Sequence, residues 1–108
     1  MSTNTIPVFD AARLSRASNG NTAQQVEVLA LFLAEAQRLM QQVEDAPDGQ
    51  VRGERLRALI ALARNTGAAK LAHEARALET QIAADEPDLA QLRQAVDETV
   101  AYVRQAGI

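Results

Sequence analysis

The sequence predicts an all-α protein, an antiparallel four-helix bundle preceded by a short N-terminal helix. Of the 108 residues, 47% are hydrophobic but only 3% are aromatic, so the core must be mainly aliphatic. Alanine and leucine favour helix by intrinsic propensity, and no run alternates apolar and polar residues as a half-buried strand does. Apolar residues instead recur every three or four positions, in segments joined by short connections, which is the pattern of an antiparallel bundle.

The first predicted helix is short and covers about residues 11–18. Asp10 precedes it and is suited to cap it, because a carboxylate accepts hydrogen bonds from the amides of the first turn. The tripeptide Asn-Gly-Asn at 19–21 follows the helix and breaks the chain, since both residue types adopt turn conformations readily. These two signals bound the element.

The second predicted helix is the longest and covers about residues 22–44. Thr22 and Gln25 have the spacing of a capping box, in which two side chains satisfy free amides of the first turn. The apolar side chains form one stripe that we expect to face the core: Val26, Leu29, Phe32, Leu33, Ala36, Leu39, Met40 and Val43. The loop Ala-Pro-Asp-Gly at 46–49 ends the helix.

Two further helices are predicted on either side of Gly67, over about residues 51–65 and 68–83. Glycine adopts a left-handed backbone without strain, so Gly67 marks the end of the first of them. Both helices carry apolar positions that we expect to face inward: Leu56, Leu59, Leu62 and Ala63 on the first, and Leu71, Ala75, Leu78 and Ile82 on the second.

The last predicted helix covers about residues 87–105. Asp85 is an acidic start signal, and Pro87 fits the first turn, where its missing amide hydrogen has no helical partner to lose. The inward positions are Leu89, Leu92, Val96, Val100 and Val103. The chain shows no internal repeat, and its length suits a single core, so residues 1–108 are predicted to form one domain.

Charge and composition argue against several classes of function. The net charge of −3 disfavours nucleic acid as a partner, because phosphate contacts require a basic surface. The chain has no cysteine, so it forms neither a disulfide nor a thiolate site. No apolar run approaches the length of a membrane span, and we therefore expect no membrane contact and a cytoplasmic location.

Catalytic and metal sites have few candidate residues. The carboxylates and the single histidine lack the paired Glu-x-x-His pattern of di-iron bundles, so neither a metal nor a cofactor is expected. No nucleophile and base lie at a suggestive spacing, and the protein is therefore not expected to be an enzyme.

Arg57, Ile60, Ala61 and Arg64 form a candidate binding face on the third predicted helix. Their spacing places them on one side, opposite Leu56, and we expect all four to be exposed. An exposed isoleucine beside an alanine, between two arginines, suits docking of a partner with an acidic rim. The same pattern fits an ordinary solvated face, because single exposed apolar residues are common.

His73 is the only histidine of the chain. It lies about 200° around its helix from Leu71, which directs it toward solvent beside Lys70 and Arg76. An exposed imidazole with a neighbouring cation is suited to accept a phosphoryl group. The alternative interpretation is an ordinary surface histidine.

The order of these segments resembles that of a bacterial histidine-containing phosphotransfer (HPt) domain, over nearly the whole chain. The resemblance rests on Val8-Phe9-Asp10, then LALFLAEAQRLMQQV, then LRALIALARNTGAAKLAHEARALE. Members of the family carry H-x-x-K-G on one helix, a glycine ten residues beyond that histidine, and a closing L-x-x-x-A-x-x-L-E. The matching residues are Gly67 and Ala68 at the turn and Leu71, Ala75, Leu78 and Glu79 in the closing pattern.

The functional motif departs from the family's pattern. The position of the phosphoacceptor histidine holds Arg57, the lysine position holds Ile60, and the glycine position holds Ala61. In the family, a receiver domain that supplies Mg²⁺ passes its phosphoryl group to the exposed imidazole. Arginine is permanently protonated and cannot act as that nucleophile, so phosphotransfer at this position is expected to fail.

Three functions stay open. The first is a phosphorelay signalling module that docks a response-regulator receiver domain, or a sensor histidine kinase, through Arg57, Ile60, Ala61 and Arg64 without carrying phosphate. The second is an active phosphocarrier that uses His73. The third is a structural or oligomerisation bundle.

Overall fold

The computed structural model describes residues 6–84 and 86–105, and every regular element in those ranges is a helix. The five helices are α1 (Ala11–Ala17), α2 (Thr22–Asp45), α3 (Gly49–Thr66), α4 (Ala69–Ala77) and α5 (Ala90–Gln105). The four helices after α1 pack in a ring, α2 on α3, α3 on α4, α4 on α5 and α5 on α2. This arrangement confirms the predicted fold class.

The core lies inside this ring and is aliphatic. Its fully buried side chains include Met40, Val43, Leu56, Leu59, Leu71, Leu92 and Val103. Burying one such side chain stabilises the fold by about 1.5–3 kcal/mol, so the apolar stripes account for the packing of the helices. The inward positions predicted for the third, fourth and last helices are buried or half-buried.

Val26 was predicted to face the core, and this prediction is wrong, because 45% of its surface is exposed. At 100° per residue, Val26 lies roughly 90° from the centre of the buried stripe on α2. Leu33 lies nearer that centre and is half-buried. The three- and four-residue spacing of apolar residues therefore predicted too wide a buried stripe at the start of α2.

Side-chain caps begin the first three helices. Asp10 accepts a hydrogen bond from the amide of Arg13 at 3.1 Å, as predicted. Asn21, not Thr22, caps α2 by accepting a bond from the amide of Gln24 at 3.1 Å, so the predicted capping box is wrong. Asp48 caps α3 in the same way and moves its start to Gly49, ahead of the predicted residue 51.

The fourth helix ends earlier than predicted, at Ala77 instead of residue 83. Turns follow it, although Leu78 and Ile82 stay buried. The guanidinium of Arg52 donates to the carbonyl oxygens of Ile82 at 2.9 Å and Ala84 at 3.0 Å. These carbonyls belong to a segment that packs on the start of α3, and this tertiary contact competes with continuation of the helix.

Gly49 permits that packing. A Cβ atom at this position would lie 2.9 Å from both the Cα and the carbonyl oxygen of Ala83, which is closer than real Cβ contacts. A side chain is therefore excluded where α3 meets the turn after α4. Gly53, one turn later, is also buried, and its added Cβ would lie 3.7 Å from Cγ2 of Ile82.

The last helix begins at Ala90, so Pro87 lies ahead of it and not in its first turn. Asp88 accepts a hydrogen bond from the amide of Ala90 at 3.0 Å. The predicted acidic start signal, Asp85, lies outside the described residues. No helix in the described ranges combines the length and the apolar content that a bilayer span requires.

Candidate functional site

The candidate face on α3 is less apolar than the sequence predicted. Arg57, Ala61 and Arg64 are exposed, but Ile60 is buried, with only 8% of its surface accessible. The expectation of an exposed isoleucine is therefore wrong. Ile60 follows Leu56 by four residues, which is about 40° around the helix, so it shares the core-facing side.

Arg57 lies along the surface of α3. A Cβ atom added to Gly53 would lie 3.5 Å from Nη1 of Arg57, so the guanidinium extends back over the preceding turn. Among the described residues, no carboxylate forms an ion pair with Arg57. The exposed face thus presents two cations and a small alanine.

A groove of about 550 Å³ lies between α1, the end of α3 and α4, and we call it the arginine groove. Its walls comprise Ile6, Asp10, Arg13, Ala63, Arg64, Gly67, Ala69, Ala72, His73, Arg76, Ala77 and Glu79. His73 is exposed, as predicted, and it forms part of one wall.

One side of α4 forms a wall of the arginine groove. Ala69, Ala72, His73 and Arg76 recur at three- and four-residue spacing, which places them on a common face. The alanines leave space that larger side chains would fill. His73 and Arg76 then carry the polar groups of this wall.

The opposite wall is held in place at Gly67, the left-handed residue that ends α3 with φ of 92°. This conformation confirms the predicted glycine stop. The amide of Asp10 donates to the carbonyl oxygen of Gly67 at 2.7 Å. A Cβ atom at Gly67 would lie 3.0 Å from Cβ of Arg13, so α1 packs directly on the turn.

Three arginines and two acidic residues line this groove, which leaves a small excess of positive charge. In the described part of the chain, Arg13, Arg64 and Arg76 form no ion pair, whereas Lys70 pairs with Glu98 at 3.0 Å elsewhere on the surface. The groove also contains Asp10 and Glu79, and Asp10 already accepts the cap hydrogen bond from the amide of Arg13.

The clearest pKa shifts lie away from the groove, on α2 and α5. Arg38 donates to the carboxylate of Glu35, and this hydrogen bond lowers the pKa of Glu35 and raises that of Arg38. A hydrogen bond to Glu44 raises the pKa of Arg93. The first pair lies within α2, and the second joins α5 to α2 at the surface.

The structure separates the candidate residues into two places. Arg64 and His73 line the arginine groove together, but Arg57, Ile60 and Ala61 do not line it. Sequence reasoning missed Arg13 as a member of the groove. No local pattern predicts that α1 packs on the end of α3, and Arg13 reaches the groove only through the packing of α1 on Gly67.

No group of three or more histidine, cysteine or acidic side chains in the described ranges is arranged to hold a metal ion.

In comparisons with known proteins, no family model, no curated protein and no solved structure matches this chain. The function must therefore be inferred from its residues and their geometry.

Proposed function

We propose that this chain is an HPt-like module of a two-component phosphorelay that docks a receiver domain, or a sensor histidine kinase, without carrying phosphate. One observation carries the proposal. Arg57 is exposed on α3, ten residues before the left-handed Gly67, at the position that holds the phosphoacceptor histidine in the family that the sequence resembles.

Arg57 cannot be phosphorylated as that histidine is. Its guanidinium remains protonated at physiological pH and offers no nucleophilic lone pair. His73, the only imidazole of the chain, lies on α4 in the wall of the arginine groove, which Arg57 does not line. The docking face therefore contains no phosphoryl acceptor.

The exposed residues of α3 suit electrostatic docking. Ala61 allows close approach of a partner, and Arg57 and Arg64 complement the acidic pocket expected of a receiver. Because Ile60 is buried, the face lacks the apolar anchor that the sequence suggested. We therefore expect binding that weakens strongly with salt, as association dominated by charge does.

The first test titrates this chain with the receiver domains and sensor-kinase domains of the organism that encodes it, and calorimetry measures the binding. We expect at least one saturable interaction, and we expect Arg57→Glu to weaken it about tenfold. Arg55→Glu is the matched control, because Arg55 is exposed on the same helix but lies about 200° around it.

The outcomes separate the alternatives. No interaction with any receiver or kinase of the organism would contradict the proposal and favour a structural role. Equal weakening by Arg57→Glu and Arg55→Glu would indicate general charge attraction without a defined face, which also contradicts it.

A second test incubates the chain with phosphorylated receiver and Mg²⁺. We expect no acid-labile phosphate on this chain. Label that appears on the chain and disappears in His73→Ala would contradict the proposal and favour a phosphocarrier that uses His73.

A further inference from the structure

We propose that the arginine groove binds a small organic anion, with its phosphate or carboxylate group held by Arg13, Arg64 and Arg76. This site shares Arg64 with the docking face, but Arg13 and Arg76 lie outside that face, and Arg57 does not line the groove. The three arginines come from α1, α3 and α4, so the fold brings them together from distant parts of the chain.

Charge supports an anionic ligand. The whole chain carries a net charge of −3, yet the arginines outnumber the acidic residues in this groove. Arg13, Arg64 and Arg76 make no ion pair within the described ranges, so their guanidinium groups remain available. Each guanidinium presents parallel N–H donors that match the oxygens of a carboxylate or a phosphate.

The start of α4 adds to this positive potential. Ala68 precedes the helix and supplies no side-chain cap, and Ala69 of the first turn lines the groove. Uncapped amides at a helix N-terminus carry partial positive charge and favour nearby anions. This contribution accompanies the arginines and does not replace them.

Size and lining indicate an organic ligand over an inorganic ion. A volume of about 550 Å³ lies in the range of small-molecule sites. Ala72 and Ala77 contribute apolar surface to the groove. His73 adds a flat ring with a hydrogen-bond donor. The fitting ligand therefore has an anionic head and a compact apolar body.

The test uses phenyl phosphate, benzoate, inorganic phosphate and phenol as probes, each titrated into the ¹⁵N-labelled chain. We expect saturable amide shifts near Gly67 and Ala72 with phenyl phosphate or benzoate, weaker binding of inorganic phosphate, and no saturation with phenol. The tighter of the first two probes assigns the head group as phosphate or carboxylate. No saturation with either probe, or equal shifts with phenol, would overturn the proposal.

Variants then test the arginines. Arg64→Gln and Arg76→Gln should each weaken the tighter probe about tenfold, which is typical for loss of a charge-assisted hydrogen bond. Arg55→Gln is the control, since Arg55 lies on α3 but does not line the groove. Equal weakening by the control would show non-specific attraction and overturn the site.

Thermal denaturation followed by circular dichroism checks that Arg64→Gln and Arg76→Gln remain folded. A folded Arg76→Gln variant with undiminished probe affinity would also overturn the proposal. Receiver docking is measured separately with Arg57→Glu, so the two proposals fail independently.

Discussion

The main-chain amide of Asp10 donates a 2.7 Å hydrogen bond to the carbonyl oxygen of Gly67. The same Asp10 caps α1 with its side chain, and the same Gly67 ends α3 in a left-handed conformation. One contact thus joins the start of α1 to the α3–α4 turn. It sets the position of Arg13 against the arginine groove.

Replacement of Gly67 by alanine should destabilise the fold more than the same change at Gly20. Both glycines have positive φ, 92° at Gly67 and 69° at Gly20. Backbone strain in each alanine variant should therefore lower the free energy of unfolding by about 1–2 kcal/mol. Only at Gly67 would the new Cβ lie 3.0 Å from Arg13 and Asp10, whereas the nearest atom at Gly20 lies 3.9 Å away. Urea denaturation measures the free energy of unfolding of both variants. An equal loss in the two would contradict steric crowding of the new Cβ at Gly67.

Gly49→Ala and Gly53→Ala should change stability in opposite directions. At Gly49, the Cβ would meet the backbone of Ala83 at 2.9 Å, and overpacking of this kind costs about 1–3 kcal/mol. At Gly53 the nearest contact is 3.5 Å, and alanine favours a helix interior over glycine by about 1 kcal/mol. Thermal denaturation of the two variants checks the signs. A stabilising Gly49→Ala would show that the turn after α4 does not pack on α3 as described.

Ile60→Ala should lower the free energy of unfolding by about 2–5 kcal/mol, because a buried isoleucine leaves a cavity when it is truncated. Val26→Ala is the matched control, since Val26 is branched like isoleucine but 45% exposed, and its loss should stay within about 0.5 kcal/mol. Chemical denaturation compares the two. A small effect at Ile60 would place this side chain at the surface, as the sequence suggested.

The Glu35 carboxyl should titrate below its ordinary value of 4.5, because Arg38 donates a hydrogen bond to its ionised form. A lowered carboxyl pKa stabilises the folded state above the unfolded value, and this contribution is lost as the pH falls from about 4.5 through the lowered pKa. The pair is exposed, so its effect on unfolding should be small. Carbon-detected NMR titration measures the pKa, and Arg38→Gln should raise it toward the ordinary value. An unchanged pKa in that variant would exclude Arg38 as the cause.

Local signals predicted the helices well where the deciding interaction lies within a few residues. Asp10 and Gly67 act on adjacent backbone, so their roles follow from residue type alone. The early end of α4 was not predictable in this way, because Arg52 and Gly49 meet the 82–84 segment only after the chain folds.

The candidate site was predicted only in part for the same reason. Helical spacing placed Arg57, Ala61 and Arg64 correctly on the exposed side of α3. It could not locate the edge of the buried side, which includes Ile60, because that edge depends on how neighbouring helices cover α3. Arg13 enters the groove through packing of α1, which no periodic pattern encodes.

All three aromatic residues of the chain lie in one cluster. The ring of Phe9 lies 5.6 Å from that of Phe32 and 4.9 Å from that of Tyr102, between centroids. The chain has no tryptophan and a single tyrosine, so ultraviolet emission comes mainly from Tyr102. Phe9 immediately precedes the Asp10 contact with Gly67, and the fluorescence of the unmodified protein therefore provides an optical signal for seating of the α1 segment on the bundle.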